Sequence, residues 1–81
     1  MRANRAYRLI VTRGGRGPAF LAPPDRTDHL EVVDVDSGEV VLFWDCHPSR
    51  TGRLARALRA DLAGMEADRF MATWRRFRLD G

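Results

Sequence analysis

Hydrophobic and polar residues alternate in three segments of the first half of the chain, which is the pattern of half-buried β-strands. The first segment is YRLIVT at residues 7–12. Two more, HLEVVDV at 29–35 and EVVLFWD at 39–45, flank the turn sequence Asp-Ser-Gly at 36–38. Such a turn favours a hairpin whose glycine takes the left-handed conformation. The sequence therefore predicts a three-stranded antiparallel sheet.

The register of this hairpin predicts one apolar sheet face and one mixed face. Val33 then lies opposite Val41, and His29 lies opposite Asp45. The apolar face carries every second residue of the two strands: Leu30, Val32, Val40, Leu42 and Trp44. The other face is apolar near the turn and polar at the open end, so we expect both faces to need some cover.

The second half of the chain has the 3.6-residue period of an amphipathic helix. We expect this helix to begin at Ser49 or Thr51, because either hydroxyl can cap the first turn. One side of the helix is apolar and is expected to pack on the apolar face of the sheet: Leu54, Leu58, Leu62 and Met65, with Ala55 at the edge.

Beyond Gly64 the apolar positions change phase, and the aromatic residues Phe70, Trp74 and Phe77 form a separate line. A break at Gly64 followed by a second helix over 67–77 would fold these aromatics back onto the domain. A continuous helix would instead present them to a partner. We favour the break. The predicted fold is α+β in β-β-β-α-α order, with a C-terminal helix or helix pair, within residues 49–78, packed on one face of the sheet.

Length and composition predict a single domain over residues 1–81, with a core near the lower limit for independent stability. Residues 1–6 form a basic N-terminal arm in this interpretation, and residues 13–28 form a long Gly/Pro/Arg loop. The single cysteine allows no internal disulfide, and no segment is long and apolar enough for a membrane span. We therefore expect a cytoplasmic protein that does not bind membranes.

All fourteen basic residues are arginine, against eleven acidic residues, for a formal net charge of +3. Ten alanines and seven glycines accompany them, whereas lysine is absent and asparagine and isoleucine occur once each. We expect that much of this arginine excess reflects the codon composition of a GC-rich bacterial genome. A basic balance normally indicates nucleic-acid binding, but here it is weak evidence.

The segment WDCHPSRTGR at 44–53 holds the only cysteine, together with a histidine, two hydroxyls and two arginines. This combination resembles the catalytic loop of a cysteine phosphatase. Cysteine phosphatases place five residues between the nucleophile and the arginine. Here six residues separate Cys46 from Arg53 and three separate it from Arg50. We therefore expect a strand end and a helix start, and we predict no catalytic residue and no enzymatic activity.

His29, Asp45 and His47 share one face of a regular strand pair, and two histidines with a carboxylate are a recognised metal-binding set. Their spacing matches no dedicated zinc pattern. We therefore prefer a cross-strand pair of His29 and Asp45 on the solvated end of the sheet, and we expect no metal and no cofactor.

Four arginines are candidates for binding an anion or a nucleic acid. Arg13 and Arg16 lie in an arginine-glycine loop, and Arg50 and Arg53 lie at the predicted helix start. The helix dipole there favours an anion. These residues support an alternative hypothesis, a small DNA- or RNA-binding regulator.

Aromatic and arginine residues of the C-terminal segment are of the types enriched at interface hot spots. The candidate partner-binding residues are Phe70, Trp74, Phe77, Arg75 and Arg78. The leading hypothesis is therefore a small non-enzymatic binding or regulatory module that acts through protein–protein interaction, including self-association as a homodimer.

Overall fold

In a computed structural model, which describes residues 1–14 and 27–79, one three-stranded antiparallel sheet carries all the helices on one face. The sheet order is β1-β2-β3. The elements in chain order are α1 (Ala3–Ala6), β1 (Tyr7–Thr12), β2 (Asp28–Asp34), β3 (Val40–Cys46), α2 (Pro48–Gly64) and α3 (Ala67–Trp74). The predicted α+β class, sheet and helix pair are confirmed. Most of the predicted 13–28 loop, including Arg16, lies outside the described residues.

The β2–β3 hairpin turns where the sequence predicts it, but Asp34 organises the turn. Its Oδ1 accepts hydrogen bonds from the backbone N–H groups of Asp36 at 2.8 Å and Ser37 at 3.1 Å. Gly38 has a φ of 76°, the left-handed conformation that favours glycine. The five residues 35–39 separate the two strands, so the connection is longer than the predicted three-residue loop.

A β-bulge between the two strands corrects the predicted register near the turn. His29 pairs with Asp45 as predicted, but Val33 pairs with Val40 rather than with Val41. One extra residue on β3 therefore moves Val40, the β3 residue on the turn side of the bulge, to the other face of the sheet. Val40, predicted to face the core, is 49% exposed on the opposite face.

Helix α2 begins one to three residues earlier than the hydroxyl caps predict. Its N-cap is His47, whose ring Nδ1 accepts a hydrogen bond from the Ser49 backbone N–H at 3.1 Å. Pro48 occupies the first turn, where its fixed φ and missing N–H suit a helix start. Thr51 is fully buried and donates its hydroxyl to Asp28 instead of capping the helix.

The predicted break between the two helices is confirmed. Helix α2 ends at Gly64, and the extended residues Met65 and Glu66 lead into α3. Gly64 has no positive φ, so the turn does not use the glycine cap that the sequence suggests. The second helix ends at Trp74, three residues short of the predicted end.

The core lies between the inner face of the sheet and the two longer helices. Leu30 and Val32 of β2, Leu58 of α2 and Phe70 of α3 have no solvent exposure. Each of these residues belongs to the apolar side that the sequence predicts for its strand or helix. The aromatic line therefore folds back and completes the core of one chain.

Residues 1–6 do not extend as an arm. They dock at the α2–α3 junction, where the Ala3 backbone N–H donates to the Met65 carbonyl and the Ala67 N–H donates to the Met1 carbonyl, both at 2.9 Å. Ala3 is fully buried. The periodicity of the sequence cannot indicate this docking, because it depends on backbone hydrogen bonds and one small side chain.

Glu66 pairs with the chain terminus, and this pair gives a prediction about pH. The Met1 ammonium donates a hydrogen bond to Glu66 Oε2 at 2.7 Å, and this bond and then the ammonium charge hold the pKa of Glu66 below its ordinary value. A carboxylate with a lowered pKa stabilises the fold above its unfolded-state pKa of about 4.3, and the contribution is lost as pH falls through the folded pKa. Carboxyl titration by NMR should give a Glu66 midpoint below the ordinary one.

Acetylation of the Met1 amine is the control for this prediction, because it removes the charge without changing Glu66. The Glu66 midpoint should then rise toward the ordinary carboxyl value. An identical midpoint in the free and acetylated chains would show that the terminus does not dock in solution. The effect on stability should be small, since both groups are largely exposed.

Candidate functional site

The structure places the predicted aromatic residues in one cluster between β3, α2 and the C-terminal segment. Trp74 packs edge-on against Trp44 at 5.8 Å and against Phe77 at 5.1 Å between ring centroids. Its ring N–H donates to Asp61 Oδ2 at 3.0 Å. Phe70 is fully buried and Trp74 is 7% exposed, whereas Phe77 is half-buried. Of the three aromatics, Phe77 has the most surface for a partner.

The predicted arginines of this segment have different environments. Arg78 donates from Nη1 to the Arg75 carbonyl at 2.9 Å and to the Phe77 carbonyl at 3.1 Å, so it closes the end of α3. Arg75 is an exposed residue at the helix C-cap. A partner role for these residues stays a prediction.

A buried carboxylate connects the ends of the long loop to α2. Asp28 has no solvent exposure, and it accepts from the Thr51 hydroxyl at 2.6 Å and from the Gly14 backbone N–H at 2.9 Å. Arg13 approaches the same carboxylate at 3.5 Å. The Arg13 guanidinium, a predicted anion contact, thus pairs with the Asp28 carboxylate of its own chain.

The side chains of the WDCHPSRTGR segment serve the strand end and the helix start. Cys46 is 3% exposed, and its sulfur lies 3.4 Å from the His47 carbonyl oxygen. The Nδ1 atom of His47 is bonded within the first turn of α2, with Ser49 Oγ at 2.8 Å. His29 Nδ1 lies 2.6 Å from Asp45 Oδ1, which is the predicted cross-strand pair. Among the described residues, no group of three metal-ligating side chains is gathered.

The sheet face opposite the helices is a surface that the sequence analysis only partly recognises. From the register, its residues form three rows across the strands: Arg8–Val33–Val40, Ile10–Glu31–Phe43 and Thr12–His29–Asp45. We call these nine residues the open face. Ile10 is 41% exposed and Phe43 is 52% exposed. No described helix covers this surface.

Charge is divided between the β2–β3 hairpin and the helical part. Residues 27–47 contain six acidic residues and no arginine, whereas residues 48–79 contain eight arginines and three acidic residues. The net charge of +3 conceals this division. A count by segment detects it from the sequence alone, but the whole-chain balance does not.

A groove runs between the first turns of α2 and the C-terminal segment. It is open to solvent and has a volume of about 390 Å³, and it is lined by Arg50, Arg53, Leu54, Ala57, Trp74, Phe77 and Leu79. A second recess of about 420 Å³ shares Arg50 and Leu79 with it and reaches Asp45, Cys46, His47 and Ser49. We call the first of these the arginine groove. It brings two predicted anion-binding arginines beside two predicted partner-binding aromatics.

The fold places the chain among small α+β proteins that have an antiparallel sheet with helices on one face. No protein-family model, curated protein or solved structure matches it. In the part of the chain that the structure describes, no helix has the length and apolar character needed to span a bilayer.

Proposed function

We propose that the chain is a non-enzymatic binding module that self-associates through the open face of its sheet. The observation that supports this proposal most directly is the exposure of large apolar side chains on that face. Val40 and Phe43 are about half exposed while the helices pack on the other side. Apolar surface of this kind, when contiguous, usually marks an interaction site in a soluble domain.

The occupant that we propose is a second copy of the chain, because two corners of the open face carry opposite charges that a two-fold axis can bring together. A two-fold interface requires the same patch to recognise its own copy. Arg8 and Asp45 occupy diagonally opposite corners of the open face. A two-fold axis along the other diagonal, from Thr12 to Val40, brings each Arg8 beside Asp45 of the second copy and packs Val40 against its own equivalent. The same axis places the two Glu31 carboxylates beside each other, so this pair opposes the association. The two sheets then cross at a steep angle, which is one of the usual ways for sheets to pack.

Phe43→Glu is expected to weaken this association strongly, because it replaces the largest exposed apolar side chain of the open face with a carboxylate beside Glu31 in both halves of the interface. Light scattering and sedimentation equilibrium should give a dimer for the unaltered chain at concentrations of about 100 μM. The variant should remain a monomer at the same concentration. Ala60→Glu, which adds the same charge on the solvent side of α2, is the matched control and should dimerise normally.

Exchange of the corner charges tests the geometry of the dimer. Arg8→Asp and Asp45→Arg should each weaken association by about tenfold, and the double variant should recover most of the loss. A chain that stays monomeric up to about 1 mM contradicts the proposal. So does a dimer that Phe43→Glu leaves intact, since it would assemble through another surface.

A further inference from the structure

The arginine groove combines an apolar floor with a cationic rim. Leu54, Trp74 and Phe77 line the floor, and the small side chain of Ala57 leaves room above it. Arg50 and Arg53 stand at the edge, and both are exposed. A ligand that fits this surface has a bulky apolar group beside a negative charge.

The two rim arginines are not neutralised by the protein. Within residues 1–14 and 27–79, neither Arg50 nor Arg53 has an ion pair or a hydrogen bond from its side chain. Asp61 is the only acidic residue of α2, and it accepts the Trp74 ring N–H. The first turn of a helix adds a partial positive charge of its own. The rim is therefore complementary to anions.

The shape of the surface indicates an extended ligand. The arginine groove and the adjoining recess meet at Arg50 and Leu79, and each has room for one or two side chains. We propose that this surface binds an acidic peptide segment of a partner protein. Its bulky apolar side chain lies mainly on the half-buried Phe77 and Leu79, and its carboxylates pair with Arg50 and Arg53.

A peptide fits these observations better than a nucleic acid does. Base stacking needs an exposed aromatic face, whereas Trp74 is 7% exposed and packs edge-on against Phe77. The proposal is independent of the dimer, because the arginine groove and the open face are separate surfaces.

The test is a fluorescence-anisotropy titration of a labelled peptide in which leucine and phenylalanine alternate with aspartate. We expect a Kd of about 10–100 μM at low salt. Replacing Arg50 and Arg53 together with alanine should weaken binding at least about tenfold. Replacing Arg56 and Arg59 with alanine is the matched control, since it removes the same charge from the same helix outside the groove. Ala57→Trp should block binding by filling the floor.

Three results would overturn the proposal. The first is equal binding by the two double-arginine variants, which would indicate attraction to net charge alone. The second is equal binding of a peptide with serine in place of leucine and phenylalanine, which would deny the apolar floor a role. The third is the failure of the peptide while a twelve-nucleotide oligothymidylate binds with dependence on Arg50 and Arg53. That outcome would assign the arginine groove to single-stranded nucleic acid.

Discussion

Replacing Phe70 with alanine is expected to lower the free energy of unfolding by about 3–5 kcal/mol. The Phe70 side chain is fully buried, and its ring stacks on Tyr7 with centroids 6.0 Å apart. Its removal leaves a cavity between β1 and α3. A domain of this length has a total stability of about 4–12 kcal/mol, so a measurable fraction of the variant should be unfolded in water. Urea denaturation followed by tryptophan fluorescence measures the change.

Two further variants make this prediction specific to packing. Phe70→Leu keeps most of the apolar volume and should cost about 1–1.5 kcal/mol. Phe77→Ala removes an equal side chain that is only half-buried, so its cost should lie clearly below that of Phe70→Ala. Equal costs for the two alanine variants would show that α3 does not pack on the sheet as the structure describes.

The sheet was predictable because its signals are local. Alternation over 7–12, and over the two strands of the hairpin, depends only on which side chains face the core. The glycine at position 38 predicts a residue in the left-handed conformation, and Gly38 adopts that conformation. The period of the C-terminal half likewise predicted the helical stripe, and the change of phase after Gly64 predicted the break.

The features that escaped prediction depend on contacts between distant residues or on uncommon local chemistry. The bulge opposite Val33 has no local marker in the sequence, yet it moved Val40 to the open face. Histidine is an unusual N-cap, so the sequence favours the hydroxyls of Ser49 and Thr51 as caps, whereas the structure has His47 there. The role of Thr51 escapes prediction for another reason: its partner Asp28 lies 23 residues away along the chain.

The candidate surfaces were predictable as residue types but not as assemblies. Phe77 was expected in a partner surface, and Arg50 and Arg53 were expected in an anion site, on separate arguments. The fold joins them in one groove, because α2 and the C-terminal segment pack side by side. The fold also explains the open face: three strands present two faces, and the helices within the described residues cover only one of them.

Asp28→Ala is expected to lower the free energy of unfolding by about 2–5 kcal/mol, although it changes a polar residue. The carboxylate accepts from the Thr51 hydroxyl and the Gly14 N–H. Its loss leaves the half-buried Gly14 N–H without this acceptor and leaves the buried Thr51 hydroxyl only the more distant His47 carbonyl, at 3.3 Å. Position 14 does not accommodate a residue larger than glycine, because its Cβ would lie 2.1 Å from the Thr27 carbonyl oxygen. Asp45→Asn is the control: it alters an exposed carboxylate paired with His29, and it should cost less than about 1 kcal/mol.

The Asp28 variant also separates the two proposed surfaces. Asp28 holds Thr51, which lies between Arg50 and Arg53 in the first turns of α2, so its loss should loosen the rim of the arginine groove. The open face depends on strand register and should change less. Under conditions where Asp28→Ala remains folded, peptide binding should therefore weaken while the dimer Kd stays within about threefold. Thr51→Val, which keeps the shape and removes the hydroxyl, should give the same pattern more weakly. Loss of dimer with intact peptide binding would contradict this assignment of Asp28 to the helix start.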